Sequence, residues 1–119
     1  MSKTDVVFDL ITAGLRAEEL RQKTVANNIA NLETPGYRRV DVRFEELVAK
    51  AMEAGDEAQV GELEPQVYQP MITRVASNGN DVSLEHEVGQ MVQNTLRHSA
   101  LVKLLNKRLQ QMALAIQVQ

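Results

Sequence analysis

Apolar residues in the last third of the chain recur in alternating steps of four and three. Leu84, Val88, Met91, Thr95, His98, Val102, Leu105, Leu109, Met112 and Ile116 keep this spacing without a slip, and eight of the ten are apolar. Sustained over more than four heptads, the pattern predicts a coiled-coil-type seam on one long helix. Val92, Leu96, Leu101 and Leu104 flank the seam and widen its apolar surface enough for more than one partner helix. Ser83 suits the N-cap, and Glu85 and Glu87 suit the positive end of the helix dipole. From 84 to 117 such a helix runs about 50 Å at ~1.5 Å per residue. The other 80 or so residues cannot wrap an element of that length, so it reads as part of a rod.

A second, less regular helix is predicted over roughly Thr4 to Asn31. Phe8, Ile11, Leu15, Val25, Ile29 and Leu32 share one heptad frame, interrupted by Glu18 and Gln22. Leu10, Ala13, Ala17 and Leu20 form a neighbouring stripe, and Ala26 and Ala30 leave room for close approach of another helix. Thr34 precedes Pro35 and is pushed out of the α region, while Pro35-Gly36 fits the centre of a type II turn. Asn27, Asn28 and Asn31 crowd the last turns of this helix, although Asn is a poor helix-interior residue. Two explanations stand. The helix end frays, or the amides hydrogen-bond to a neighbouring helix or subunit and set its register, as buried Asn does in coiled coils.

The middle gives weaker signals. Arg39 to Phe44 alternates as a short extended piece, Phe44 to Met52 reads as a short helix stopped at Gly55, and Glu53 to Glu64 is an acidic run without apolar period, expected to be a mobile loop. Val67 to Val75 is extended, with Pro70 marking an edge, and Asn78-Gly79 is a turn. The predicted fold is therefore mainly α. Long N- and C-terminal helices form a coiled-coil-like hairpin around a short irregular or extended middle. The chain reads as a single domain over 1–119, divided into 1–33, 34–81 and 82–119.

Composition narrows the function classes. There are four aromatics, no Trp and no Cys in 119 residues, which suits helices packed by aliphatic stripes and removes disulfide and thiolate chemistry. The net charge of −3 is uneven: residues 1–39 carry +1, residues 40–81 carry −6 and residues 82–119 carry +2. No basic stripe interleaved with aromatics appears, which argues against nucleic acid as a partner. Asp5 and Asp9 interrupt the N-terminal apolar stretch, so no cleaved signal peptide is expected, and no run approaches a membrane span.

Catalytic chemistry is not apparent. His86 and His98, on one helix, stand about 18 Å apart at ~1.5 Å per residue, too far to share a metal. His98 reads as a packed seam residue and His86 as a solvated or capping one. The pairs Glu18-Glu19 and Glu45-Glu46 read as solvated helix faces, because adjacent helical residues diverge. With no phosphate loop, nucleophile elbow or ligand cluster, the expectation is a non-enzyme without cofactor, metal or small-molecule substrate.

The run Ala26-Asn27-Asn28-Ile29-Ala30-Asn31 followed by Thr34-Pro35-Gly36-Tyr37 resembles the N-terminal signature of the bacterial flagellar rod, hook and hook-associated family. Asn78 to Val88, then Asn94 to His98, Leu104 to Arg108 and Ala115-Ile116, resemble the last helix of its proximal rod members, in which the position of Ser83 is commonly Asp, an equivalent cap. The likeness covers both ends, about two-thirds of the chain. A short sister rod protein shares the first signature but opens its last helix from a Pro-containing segment absent here. Hook and distal rod members carry large inserted domains.

The resemblance implies a structural subunit of the proximal rod of the flagellar basal body. It would polymerise through its terminal helices into a drive shaft and export-channel wall, and be exported uncleaved through the flagellum's own type III apparatus to the periplasmic rod. The implied partners are copies of itself, other rod proteins, and the MS ring, export gate and rod-junction protein at the base, with no membrane insertion. Expected interface residues are Asn27, Asn28, Ile29, Asn31, Pro35, Gly36 and Tyr37 at the first helix end, and Leu84, Val88, Met91, Val102, Leu105, Leu109, Met112 and Ile116 along the seam. The competing reading is a cytoplasmic helical-hairpin adaptor or secretion chaperone. It requires one hairpin to satisfy more than one apolar stripe per helix, which would leave an exposed apolar patch on a monomer.

Overall fold

A computed structural model of the chain describes residues 3–118. The first helix, α1, spans Lys3–Ala30, and the last, α3, spans Leu84–Val118; they lie antiparallel, with Glu18 of α1 against Arg97 of α3. Between them come a short strand β1 (Asp41–Arg43), a helix α2 (Glu45–Glu53), a 3₁₀ turn (Glu57–Glu62) and a strand β2 (Gln66–Tyr68). The chain is mainly α, with the long terminal helices and short middle expected from the periodicity. Met1, Ser2 and Gln119, included in the expected segments, lie outside the described residues.

The helix α1 stops at Ala30, where the asparagine run begins to favour local side-chain bonds over the helical ladder. The turn that follows is the one Pro35-Gly36 suggested. Gly36 has φ +75°, and Tyr37 N–H donates to the Thr34 carbonyl at 3.3 Å. Strands β1 and β2 pair antiparallel, Val42 opposite Val67, and the Arg43 guanidinium lies 4.2 Å from the Tyr68 ring centre.

The small core lies where the middle segment folds onto α1. Ala13, Ala17 and Phe44 are buried together, with Val48 and Leu63 packed against them. Small residues on α1 let Phe44, at the mouth of α2, reach the helix surface.

The expected mobile loop over Glu53 to Glu64 is instead partly ordered structure. Its 3₁₀ turn packs on α1 and buries Val60 completely. Gly61 comes so close that a Cβ there would stand 2.7 Å from Asp9 Cβ. A buried valine in a polar run without apolar period gives no repeat, so the sequence pattern does not reveal it.

A second correction concerns Glu18, expected on a solvated face. It is 2% exposed and accepts from Arg21 at 2.7 Å and Arg97 at 2.8 Å. The heptad interruption it causes is therefore a buried polar contact between the two long helices.

Candidate assembly interface

At the turn end of the hairpin, the asparagines tie the following segment to α1. The Asn28 amide is buried: its nitrogen donates to the Val40 carbonyl at 2.9 Å, and its oxygen accepts from Val40 N–H and the Tyr37 hydroxyl, both at 3.0 Å. Asn27 donates to the same hydroxyl at 2.8 Å, and Asn31 bonds back to the Asn27 carbonyl at 2.8 Å. These amides thus fix the helix end against its own chain, an arrangement between the fraying and bridging explanations. Burial, ahead of the opposing bond from Asn27, raises the Tyr37 phenol. Ile29 is half-buried, and Pro35 and Gly36 are exposed at the tip.

Two residues from just before α3 complete this junction. The Asn80 side chain donates to the carbonyls of Asn31 and Thr34, both at 2.8 Å, and so pins the turn just past α1, where the same carbonyls also accept from Thr34 N–H and Tyr37 N–H. Asp81 is buried and accepts from Arg38 Nε at 3.0 Å and from Arg39 N–H. Burial alone would raise its carboxyl, but the Arg39 N–H and the Arg38 guanidinium outweigh that and hold it below the ordinary range. Neither residue stood out in the sequence as more than part of the family-like run, since Asn80 meets partners 46 and 49 positions away.

Midway along the hairpin a polar node links α1, α2 and α3. Arg21 bridges Glu18 and Glu45, while Arg97 reaches Glu18 across the helix pair. Asn94, 1% exposed, sets its side-chain amide against the Glu18 carbonyl and carboxylate, where only the orientation with its nitrogen toward them lets it donate, at 3.0 Å to the carbonyl. Burial opposes ionisation at both Arg21 and Glu45, yet their mutual pairing raises the first and lowers the second.

This node decides which way α3 faces. The residues turned to α1 include Asn94, Arg97 and Leu101, the last meeting Gly14, with Arg108 further along beside Val7 and Ile11. Each stands one position before a seam residue: Thr95, His98, Val102 and Leu109. The apolar seam is therefore offset to one side of the face on α1: Thr95, Val102 and Leu109 lie one residue, about 100°, beyond Asn94, Leu101 and Arg108. Met91, with Thr95, still edges a groove with Gln22, Val25 and Ala26. Leu84, Val88, Met91, Leu109, Met112 and Ile116 are exposed, and Val102 and Leu105 are half-buried. Eleven large apolar side chains of α3 stand exposed in all. An apolar surface of this extent on one chain marks an interaction face.

Among the described residues, no cluster of His, Asp or Glu could hold a metal, and no helix is long and apolar enough to cross a membrane. What the sequence indicates most strongly, a long apolar stripe, is what the fold leaves uncovered.

Known proteins resemble this chain in sequence. A family described as "Flagella basal body rod protein" matches residues 12–38, the stretch holding Glu18, Asn28 and Tyr37. The chain is similar to the flagellar basal body rod protein FlgB of Bacillus subtilis, at 30% identity over 77% of this chain and 78% of the relative. The FlgB of Cereibacter sphaeroides is 31% identical over 82% and 84% of the two chains, and that of Escherichia coli 24% identical over 98% and 97%. Relatives this similar, matched over most of both chains, show that the chain belongs to the FlgB family of flagellar basal body rod proteins.

Proposed function

We propose that this rod subunit polymerises through the outward seam of α3, together with the exposed end of the hairpin around Pro35 and Gly36, to build the proximal rod as drive shaft and export-channel wall. One observation carries the reading: the most regular apolar stripe of the chain lies to one side of the face packed on α1, with six of its eight apolar residues exposed. A contact between two different patches of identical subunits does not close on itself and generates a helical array. Torque transmission requires a stiff wall, which densely packed long helices supply.

In this reading the subunit performs no turnover and needs no cofactor. Its neighbours are copies of itself, other rod proteins, and the MS ring, export gate and rod-junction protein at the base. It reaches the periplasmic rod by type III export without cleavage. An adaptor or secretion chaperone would be expected to cover its own seam, and α3 instead offers Met91, Leu109 and Met112 to a partner. Electron microscopy of the purified protein at rising concentration tests the reading. Tubes or curved protofilaments are expected; a protein that remains featureless and monomeric at its solubility limit overturns it.

A further inference from the structure

The segment leading into α3 passes through Asn78-Gly79, and Asn78 is the one asparagine of the chain that glycine follows. Asn78 is exposed, whereas Asn80 and Asp81 just beyond it are buried in the junction with the end of α1. A backbone nitrogen can attack the side-chain amide of the residue before it. Glycine permits this best, because it has no Cβ to obstruct the approach.

The fold holds both reacting groups in place. Gly79 N–H donates to the Ala76 carbonyl at 2.9 Å, and Asn78 Oδ1 accepts from Asn80 N–H at 3.1 Å. The Asn78 carbonyl accepts from Gly36 N–H at 2.9 Å, so this turn lies against the turn that follows α1. The contact is close: a Cβ on Gly79 would stand 3.2 Å from Gly36 Cα. In a hydrogen-bonded β-turn the third residue has ψ of about 0°, which points the next nitrogen away from its side chain. Attack requires that bond to rotate, and the rotation carries the Asn78 carbonyl off Gly36 N–H.

We infer that Asn78 is a deamidation site gated by this junction, spared while it is closed and reactive when it opens. Gly79 N loses its proton to solvent and attacks Asn78 Cγ. The Cγ–Nδ2 bond breaks and ammonia leaves, having taken up a proton. Water then opens the five-membered imide at either carbonyl, giving aspartate or isoaspartate at position 78. Isoaspartate also adds a methylene to the main chain ahead of the two residues that pin the end of α1. Asn80 must still reach the carbonyls of Asn31 and Thr34, and Asp81 must still reach Arg38 and Arg39. The extra backbone atom shifts that register, and the reaction does not run backward. A subunit kept open thus ages into one that no longer closes α3 onto the end of α1.

Tandem mass spectrometry of the tryptic peptide 75–97, with electron-transfer fragmentation to tell isoaspartate from aspartate, follows the reaction in protein aged at mildly alkaline pH. Conversion at 78 is expected to be several-fold faster in denaturing urea than in native buffer, with Asn80 and Asn94 of the same peptide slower in urea. Equal rates in the two conditions overturn the gating, and no conversion in urea overturns the site. Asn80→Ala removes the bonds to Asn31 and Thr34 but leaves the reacting pair intact. With circular dichroism matching that of the native protein, it is expected to raise the rate in native buffer and leave the rate in urea unchanged; an unchanged native rate overturns the gating. Refolded chains carrying isoaspartate are expected to lose hydrogen-exchange protection at 31–37 and 84–88, while Asn78→Asp, which adds the charge without the methylene, keeps it. Full protection of the isoaspartate chains, or equal loss in Asn78→Asp, overturns the register argument.

Discussion

Asn28 makes three hydrogen bonds with one side chain and so joins α1, Tyr37 and the entry to β1. Asn28→Ala leaves the Val40 N–H and carbonyl without these partners and is expected to lower stability by roughly 2–3 kcal/mol. Asn27→Ala, at an exposed position, is expected to lower it by less than about 1 kcal/mol. Urea denaturation midpoints compare them, and equal losses would contradict the division of roles. The buried carboxylates titrate in opposite senses. Burial raises Glu87 above its ordinary 4.5, and one of its oxygens has no partner. The folded state therefore holds that proton more tightly. Its stabilising effect is full below the unfolded value and is lost as pH rises through the folded one. Glu87→Gln stays neutral and is expected to raise the thermal midpoint at pH 7 while changing little at pH 4; a fall at pH 7 would contradict this. Asp81, held below its ordinary 3.8, contributes above that value and loses the contribution as pH falls through its folded value. Sequence marks Asn28 as unusual because Asn is rare inside helices. It gives no sign that Glu18 is buried, since the Arg97 that meets it lies 79 residues away.

Among the elements, the two long helices are legible because a period of 3.6 repeated many times leaves few alternatives. Periodicity also identifies which residues of α3 share a face. It does not say what that face meets, and here polar contacts with Glu18 turn Asn94 and Arg97 inward while the apolar seam turns outward. The 3₁₀ turn was illegible for the opposite reason, having Val60 as the one buried residue among those of the turn whose side chains are described, and no repeat. Its attachment depends on Gly61 lying against Asp9. Gly61→Ala is expected to detach the turn from α1, costing on the order of 1–3 kcal/mol as the overpacked contact gives way. Hydrogen exchange would show loss of protection around Val60 with α3 unchanged. Retained protection would mean that Asp9 simply moves aside.

As a whole the molecule is a flattened bar of 65 × 29 × 14 Å with a radius of gyration of 17.8 Å. A compact domain of this length has a radius of about 13.5 Å. So thin a body encloses little: its buried apolar residues are the small cluster under Phe44 and a few further side chains such as Ile11, Val25, Val42 and Val60. The remaining apolar surface is carried along α3 to the far end of the bar, where Leu114, Ile116 and Val118 are all exposed. Such a shape suits a subunit completed by its neighbours, in keeping with a rod protein family. The central claim is that the outward seam of α3 is the surface through which subunits join. Sedimentation across a concentration series of the native protein, Leu109→Asp/Met112→Asp and Glu62→Lys tests it most directly. The seam variant buries two charges in any helix interface and is expected to weaken association by about a hundredfold or more. Both positions are exposed in the single chain, so its circular dichroism should match that of the native protein. Glu62→Lys, in the acidic middle, is expected to assemble normally. Equal association of all three proteins would contradict the account.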